Sequence, residues 1–192
     1  MRFSKLRTVF PGDEIYEQGS TSLGIYNRKS YVYGTLCKTQ NHLFILSKTK
    51  RYNPYIDDVV VGKVIYVSSD YYKLDINCSL GILPVLNFTN ASKRNKPDIN
   101  KDDLIFCKIV STGIEPILSC IGEGFGKIKG FFFKIDVWQS QMLYAENILF
   151  KIGKKYNFKC IVGINGVLII SCETAKLSIE IYNKIIDELK IL

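Results

Sequence analysis

Apolar positions in this chain fall into short runs, each broken within a few residues by Gly, Pro, Asn, Asp or Ser. That spacing predicts strands rather than long helices. The first part shows a turn at Val9-Phe10-Pro11-Gly12-Asp13 after a strand-like start. Strands are then expected at Ile25-Tyr26, Tyr31–Leu36 and Leu43–Leu46, joined in a meander by 27–30 and 39–42. Such a short piece has a marginal core and needs packing against the rest of the chain or a partner. The middle part carries five strand candidates: Asp58–Val67, Tyr71–Ile76, Leu80–Leu86, Leu104–Ser111 and Pro116–Ile121. Alternation in the second directs Tyr72, Leu74 and Ile76 inward and Tyr71, Lys73 and Asp75 outward. Val67-Ser68-Ser69-Asp70 is a hairpin turn, and the longest loop lies between the third and fourth strands.

Five short strands with that loop placement match a five-stranded Greek-key barrel of the OB type. After it, Gly122-Glu123-Gly124-Phe125-Gly126 reads as a linker. A strand is expected over Gly130–Ile135, then a helix N-capped by Asp136 and running through Leu143. A second short helix covers Ala145 to Lys151 and ends at Gly153. Phe158–Val162 and Val167–Ser171 are strands around Gly163-Ile164-Asn165-Gly166. The last helix, from about Thr174 to Leu189, carries Ala175, Ile179, Tyr182, Ile186 and Leu189 on one face. The order β, α, α, β, β, α is that of one KH-domain type. The fold class is therefore multi-domain and mainly β with α+β: an N-terminal β domain (1–52), an OB-type barrel (53–121) and a KH-like domain (122–192). Phe131, Phe132 and Phe133 cannot all face inward on one strand, so contact with the adjoining barrel is expected there, with a partner subunit as the alternative.

Composition changes this picture little. Of 192 residues, 47% are hydrophobic and 23% charged, so the chain can bury a core. No run approaches the length of a membrane span, and Met1–Arg7 lacks the long apolar stretch of a secretory signal. The net charge is +8, with 21 Lys against 5 Arg, a bias that AT-rich codons can produce without nucleic-acid binding. Charge is uneven: net +6 over 1–52, −1 over 53–119 and +3 over 120–192. Against the slightly acidic barrel, Lys93, Arg94 and Lys96 stand out as a basic loop between two strands. Six cysteines (37, 78, 107, 120, 160 and 172) form no C-x-x-C pair, and there is a single histidine, His42. Free thiols in a reducing compartment are expected, with no structural metal and no cofactor.

Three motifs carry a family resemblance. Gly62-Lys63-Val64, Tyr72–Ile76 and Gly81-Ile82-Leu83-Pro84 resemble the barrel of ribosomal protein S-one type. Gly163-Ile164-Asn165-Gly166 resembles the Gly-x-Asn-Gly signature in the KH domain of RNA-exosome cap subunits, and Phe10-Pro11-Gly12-Asp13 resembles their Pro-Gly-Asp opening. Together they cover essentially the whole chain. Within the cap family, the loop Ala91–Pro97 is most similar to that of the fortieth-numbered ribosomal-RNA-processing subunit. The sister subunit of the same domain order carries a longer insertion there, and the third has a zinc ribbon that this sequence lacks.

The resemblance implies a non-catalytic subunit seated on a ring of RNase-PH-like subunits, beside other cap subunits, where single-stranded RNA is threaded. It implies residence in nucleus, nucleolus and cytoplasm, and no membrane partner. The residues agree with a non-enzyme: His42 stands alone, and neighbours in Asp57-Asp58 and Asp102-Asp103 point to opposite faces of an extended chain. Lys93, Arg94 and Lys96 are candidates for RNA phosphates or for a neighbouring subunit, against a merely solvated loop. Tyr71 and Lys73 are candidates on the outward barrel face, and Lys63 is a further one. Lys73 stands where many such barrels place Phe, which favours phosphate contact over stacking. Asn-Gly chemistry makes Gly163, Ile164, Asn165 and Gly166 a hairpin turn that holds the KH domain against the barrel rather than an RNA clamp. A scaffold subunit without RNA contact, or a stand-alone RNA-binding ribosome-biogenesis factor, are the alternatives.

Overall fold

The computed structural model describes residues 3–21, 24–47, 51–145 and 148–190. The N-terminal sheet contains β1 (Ser4–Val9), β2 (Ser20–Thr21), β5 (Gly34–Lys38) and β6 (His42–Leu46), in the order β1-β5-β6-β2. A separate hairpin is made by β3 (Ile25–Tyr26) and β4 (Lys29–Ser30). Asn27 and Arg28 between them both take positive φ, +48° and +61°, the geometry of a tight two-residue hairpin. Lys29-Ser30 is therefore strand rather than connector. The strand expected from Tyr31 starts only at Gly34.

Strands β5 and β6 of the N-terminal sheet are buried on both faces. Val9, Ile15, Leu36, Leu43 and Ile45 form its own small core. Cys37, Phe44 and Leu46 join the C-terminal core instead. The expected need for support is thus met within the chain.

The barrel consists of β7 (Val59–Val67), β8 (Tyr71–Asp75), β9 (Leu80–Pro84), β10 (Leu104–Ser111) and β11 (Ile117–Ser119). Antiparallel pairs link β8 to β9, β7 to β8, β10 to β7 and β11 to β10, and a parallel pairing of β9 with β11 closes the ring. Its lumen holds Val60, Val64, Tyr72, Leu74, Ile76, Leu83, Ile105, Ile109 and Leu118. The inward and outward residues of β8 are as alternation predicts. A strand not anticipated, β12 (Gly126–Ile128), pairs with β10 at Leu104–Phe106. The last glycine of the supposed linker therefore belongs to the barrel sheet.

The C-terminal unit runs β13 (Phe131–Lys134), α1 (Val137–Ala145), α2 (Ile148–Gly153), β14 (Lys159–Gly163), β15 (Val167–Ser171) and α3 (Ala175–Lys190), with sheet order β13-β15-β14. The expected order of elements is present. At the start of α1 the Gln139 side chain accepts from the Asp136 amide at 2.9 Å, while the Asp136 carboxylate takes the Trp138 indole N–H at 3.2 Å. Asp136 thus marks the helix start through its backbone, with Gln139 completing half of a capping box. Thr174 caps α3 through a bond from the Leu177 amide, 3.2 Å. The buried stripe of α3 is Ser178, Ile181, Ile185 and Leu189, flanked by Tyr182 and Ile186. Ala175 and Ile179 are exposed, so the expected face is rotated.

The phenylalanine run also departs from expectation. Phe133 stacks on Tyr182, 4.6 Å between centroids and 10° between planes, within the C-terminal core. The barrel contact is made by Val61 with Val167 and Ile169, backed by Leu104, Phe106, Ile128 and Ile161. The six cysteines are free, and among the described residues no group of three or more His, Cys, Asp or Glu could hold a metal ion. No described helix is long and apolar enough to cross a membrane.

Candidate nucleic-acid interface

The outward face of β7, β8 and β9 is built in rows. In one, Tyr66 of β7 opposes Lys73 of β8, which opposes Ile82 of β9. In the next, Tyr71 opposes Pro84. Sequence alternation would send Tyr66 into the lumen behind Val60 and Val64. A β-bulge between Val64 and Tyr66 adds a residue and turns Tyr66 outward, where it is 52% exposed. Its ring lies 6.2 Å from that of Tyr71. The sequence reading missed Tyr66: period two offers no signal for a bulge, and Ile65, Tyr66 and Val67, which end this strand, are apolar or aromatic by type yet all exposed.

The basic loop borders the same rows. It is fixed at its ends by Tyr72, whose ring meets Phe88 edge-on at 6.2 Å and whose hydroxyl donates to Pro97 O at 3.2 Å. At its tip Lys96 Nζ donates to Ser69 O at 2.8 Å, tying it to the β7–β8 turn. Within the tip, the Ser92 hydroxyl accepts from the Asn95 amide, 3.0 Å. Lys93 and Lys96 line a hollow of about 350 Å³ with Ser69, Asp70, Pro84, Val85 and Leu86. Lys93, Arg94 and Lys96 are exposed. Among the described residues, none of the three forms an ion pair. Tyr71, Lys93 and Lys96 therefore surround the turn at 68–70 and Pro84, with Lys73 one row away.

The other two candidate lysines are committed to acids. Lys73 pairs with Glu115 at 2.8 Å, and that hydrogen bond raises the lysine's pKa. Lys63 pairs with Asp102 at 2.8 Å and holds that carboxyl below its ordinary value. Lys63 lies in register with Asp75 rather than with the tyrosine rows, so it does not join the loop cluster. The remaining acids of the two sequence pairs are also occupied: Asp57 by Lys108 at 2.7 Å and Asp103 by Lys127 at 2.6 Å. Asp58 is held by the Tyr52 hydroxyl and by the Tyr55 amide at 3.2 Å, and burial pushes its pKa up. His42 sits in the N-terminal sheet, 2.6 Å from Ser20 Oγ.

Gly163-Ile164-Asn165-Gly166 turns between β14 and β15, closed by Gly166 N to Gly163 O at 3.1 Å. The left-handed position is Gly166 alone, φ +81°; Asn165 does not share it. Asn165 has another task. Fully buried, its side chain donates to Val61 O (2.8 Å) and Ile76 O (3.1 Å) and accepts from Val61 N (3.2 Å). Asn77 Nδ2 answers by donating to Asn165 O at 2.8 Å. Gly163 permits the close approach: a Cβ there would stand 2.3 Å from Asn165 Oδ1 and 2.7 Å from Val61 N. The motif faces the barrel backbone and is not an open clamp.

A closed S1-type barrel clasped to a KH-like α+β unit is the class of protein this arrangement defines. A family model described as exosome complex component RRP40, S1 domain, matches residues 52–131. The rrp40 exosome component of Dictyostelium discoideum is 31% identical over 179 residues, covering 82% of this chain and 76% of the relative. Exosome complex component RRP40 of Mus musculus is 32% identical, and the match covers 71% of this chain and 54% of the mouse protein. A crystal structure assigned as an exosome complex RNA-binding protein shares the fold, with a TM-score of 0.57 at 23% identity over 73% of this chain and 98% of that one. This chain belongs to the Rrp40 family of exosome complex components.

Proposed function

We propose that the chain is a non-catalytic, RNA-binding cap subunit of the exosome. It stabilises the ring of RNase-PH-like subunits and guides single-stranded RNA toward a nuclease carried by another chain, in 3′-to-5′ processing and degradation. The observation that carries this reading is the basic loop 93–96, anchored at both ends and tied to Ser69 beside the Tyr71 and Lys73 face. Cations on a fixed loop neutralise phosphates without an ordering cost, and a barrel face beside them suits a single strand. The non-catalytic part is supported by the acids, since Asp57, Asp58, Asp102 and Asp103 are each engaged by Lys or Tyr. In the same reading the units 1–52, 53–121 and 122–192 divide the work: ring contact, RNA contact and orientation. The expected location is nucleus, nucleolus and cytoplasm.

One observation favours a scaffold role for the first unit. Phe10 and Tyr33 pair at 5.2 Å and are more than half exposed, as protein contacts are. The test separates the readings. Exchanging Lys93, Arg94 and Lys96 together for Glu is expected to weaken RNA crosslinking in the assembled complex while the other subunits still co-purify. Lost assembly with unchanged crosslinking would favour the scaffold. A native particle of the mass of one chain, without ring subunits, would favour a stand-alone factor.

A further inference from the structure

A hollow of about 200 Å³ lies where the three units meet. The N-terminal unit supplies Tyr31, the approach to β7 supplies Tyr52, Tyr55 and Asp58, and helix α1 supplies Gln141. It shares no lining residue with the basic-loop hollow at the 68–70 turn. Asp57, Asp102 and Asp103 each meet a lysine, but among the described residues Asp58 meets no cation within 4.0 Å. Its Oδ2 accepts from the Tyr52 hydroxyl and from the Tyr55 amide, while Oδ1 takes no hydrogen bond among the described residues. A carboxylate withdrawn from water without a counter-charge is costly, and a bound cation would offset that cost. The Tyr31 and Tyr55 rings stand 5.9 Å apart at 54°, which makes them two walls of a corner rather than a stack. A planar guanidinium lies flat on one ring, whereas a corner of tilted rings beside a carboxylate suits the rounder head of an ammonium.

We propose that this hollow binds an alkylammonium group, with Asp58 as its charge partner and Tyr31 and Tyr55 as its walls. The exposed Arg51, the other charged side chain on the lining, makes no ion pair with Asp58 and repels such a head, so it sets the affinity. The head belongs either to a free amine or to a lysine side chain of a neighbouring protein chain.

The experiment titrates n-butylammonium chloride into the full chain labelled with nitrogen-15 and follows the Tyr55 amide, which donates to Asp58 at 3.2 Å. A Kd of about 1 mM is expected, ordinary for a ligand of five heavy atoms. Potassium chloride and n-butanol, which supply the ionic strength and the alkyl chain without the ammonium, should leave that amide in place. Asp58→Asn keeps an acceptor for Tyr52 and for the Tyr55 amide and should weaken binding about tenfold, as a charge-assisted bond becomes a neutral one. Tyr31→Leu should weaken it about threefold, and Tyr31→Phe should bind like the parent, since the ring face is kept. Arg51→Gln should tighten binding about threefold. Nα-acetyl-lysine methylamide separates the two sources: binding as tight as that of butylammonium assigns the hollow to a lysine side chain, and binding of butylammonium alone assigns it to free amines. The inference is overturned if butylammonium moves the Tyr55 amide no more than the two controls do, or if Asp58→Asn binds it as tightly as the parent. Where Asp58→Asn perturbs the spectrum as a whole, Arg51→Gln and Tyr31→Leu decide, and parental affinity in both overturns the inference.

Discussion

Replacing Asn165 should uncouple the two halves of the molecule more than any surface change could. Asn165→Ala removes three hydrogen bonds and leaves Val61 N–H, Val61 C=O and Ile76 C=O buried without partners. Each orphaned group costs about 1–3 kcal/mol, so at about 1.5 each the loss is roughly 4.5 kcal/mol. With a urea dependence of about 2 kcal/mol/M, the unfolding midpoint falls by about 2 M. Asn165→Asp keeps the acceptor but loses both donors and sets a carboxylate against two carbonyl oxygens. It should be at least as damaging at neutral pH and should recover partly in acid, where the neutral carboxyl can donate one bond. Trp138, the sole tryptophan, reports the C-terminal unit by fluorescence, and far-UV circular dichroism reports the whole. In the alanine variant the two transitions should separate. Asn87→Ala, which gives up a single bond to Leu118 O, is the calibration and should cost about 1 kcal/mol. A midpoint shift for Asn165→Ala no larger than that of Asn87→Ala would refute the clasp.

Other outcomes are expected from the same geometry. Exchanging Lys93, Arg94 and Lys96 for Ala should lower the logarithmic salt slope of RNA binding by up to about 2, at roughly 0.7 per phosphate contact on a single strand; an unchanged slope would show that the loop does not touch phosphates. Burial raises the folded pKa of Asp58 above its ordinary 3.8, so its contribution to stability is present below that pH and is lost as pH rises through the folded value. Asp58→Asn, which keeps an acceptor for Tyr52, should remove that decline from urea midpoints measured between about pH 4 and 7; an identical pH profile would contradict the assignment. The β10–β11 register, Lys108 with Ser119, sets Cys107 opposite Cys120, whose amide and carbonyl are turned toward Asn87 and Thr89. That is a narrow pair of about 4.5 Å between Cα atoms, so diamide during refolding should link these two cysteines, and peptide mapping that finds another pair would refute the register.

Much of the fold was legible because burial is one-sided in most of these strands. Where one face meets a core, alternation is enforced, and Tyr72, Leu74 and Ile76 could be assigned from it. The failures share a physical origin in contacts between elements distant in sequence. Gly126-Lys127-Ile128 has no strand signal of its own; it becomes one by pairing with the edge of β10. Helix α3 carries apolar residues on two overlapping faces, and only the sheet decides that Ile181 and Ile185 go inward while Ile179 does not. The basic loop could be found from charge alone. Tyr66 could not, because a one-residue bulge reverses the face of everything after it. For Asn165 the turn chemistry pointed to the right place for a partial reason: the glycine supplies the turn, and the asparagine reaches across 104 residues of sequence to Val61.

The packing also bears on how the candidate face is kept in place. Val137, the first residue of α1, is buried in the barrel core rather than with its own helix bundle. Cys37, Phe44 and Leu46 of the N-terminal sheet are buried in the C-terminal core. The N-terminal sheet therefore lends side chains to the C-terminal core, and the C-terminal unit lends Val137 to the barrel, so the C-terminal unit touches both others. A barrel held this way from its β7 and β10 side, through Val61, Leu104 and Phe106, is braced on the flank away from the 68–70 turn. The Tyr66, Tyr71 and Lys96 rows lie on the part of the ring that these contacts leave open. Bracing one flank and exposing the other fixes the orientation of the loop relative to the rest of the chain without covering it. That is the arrangement a subunit needs if it must present cations to a strand while its other surfaces are engaged in assembly.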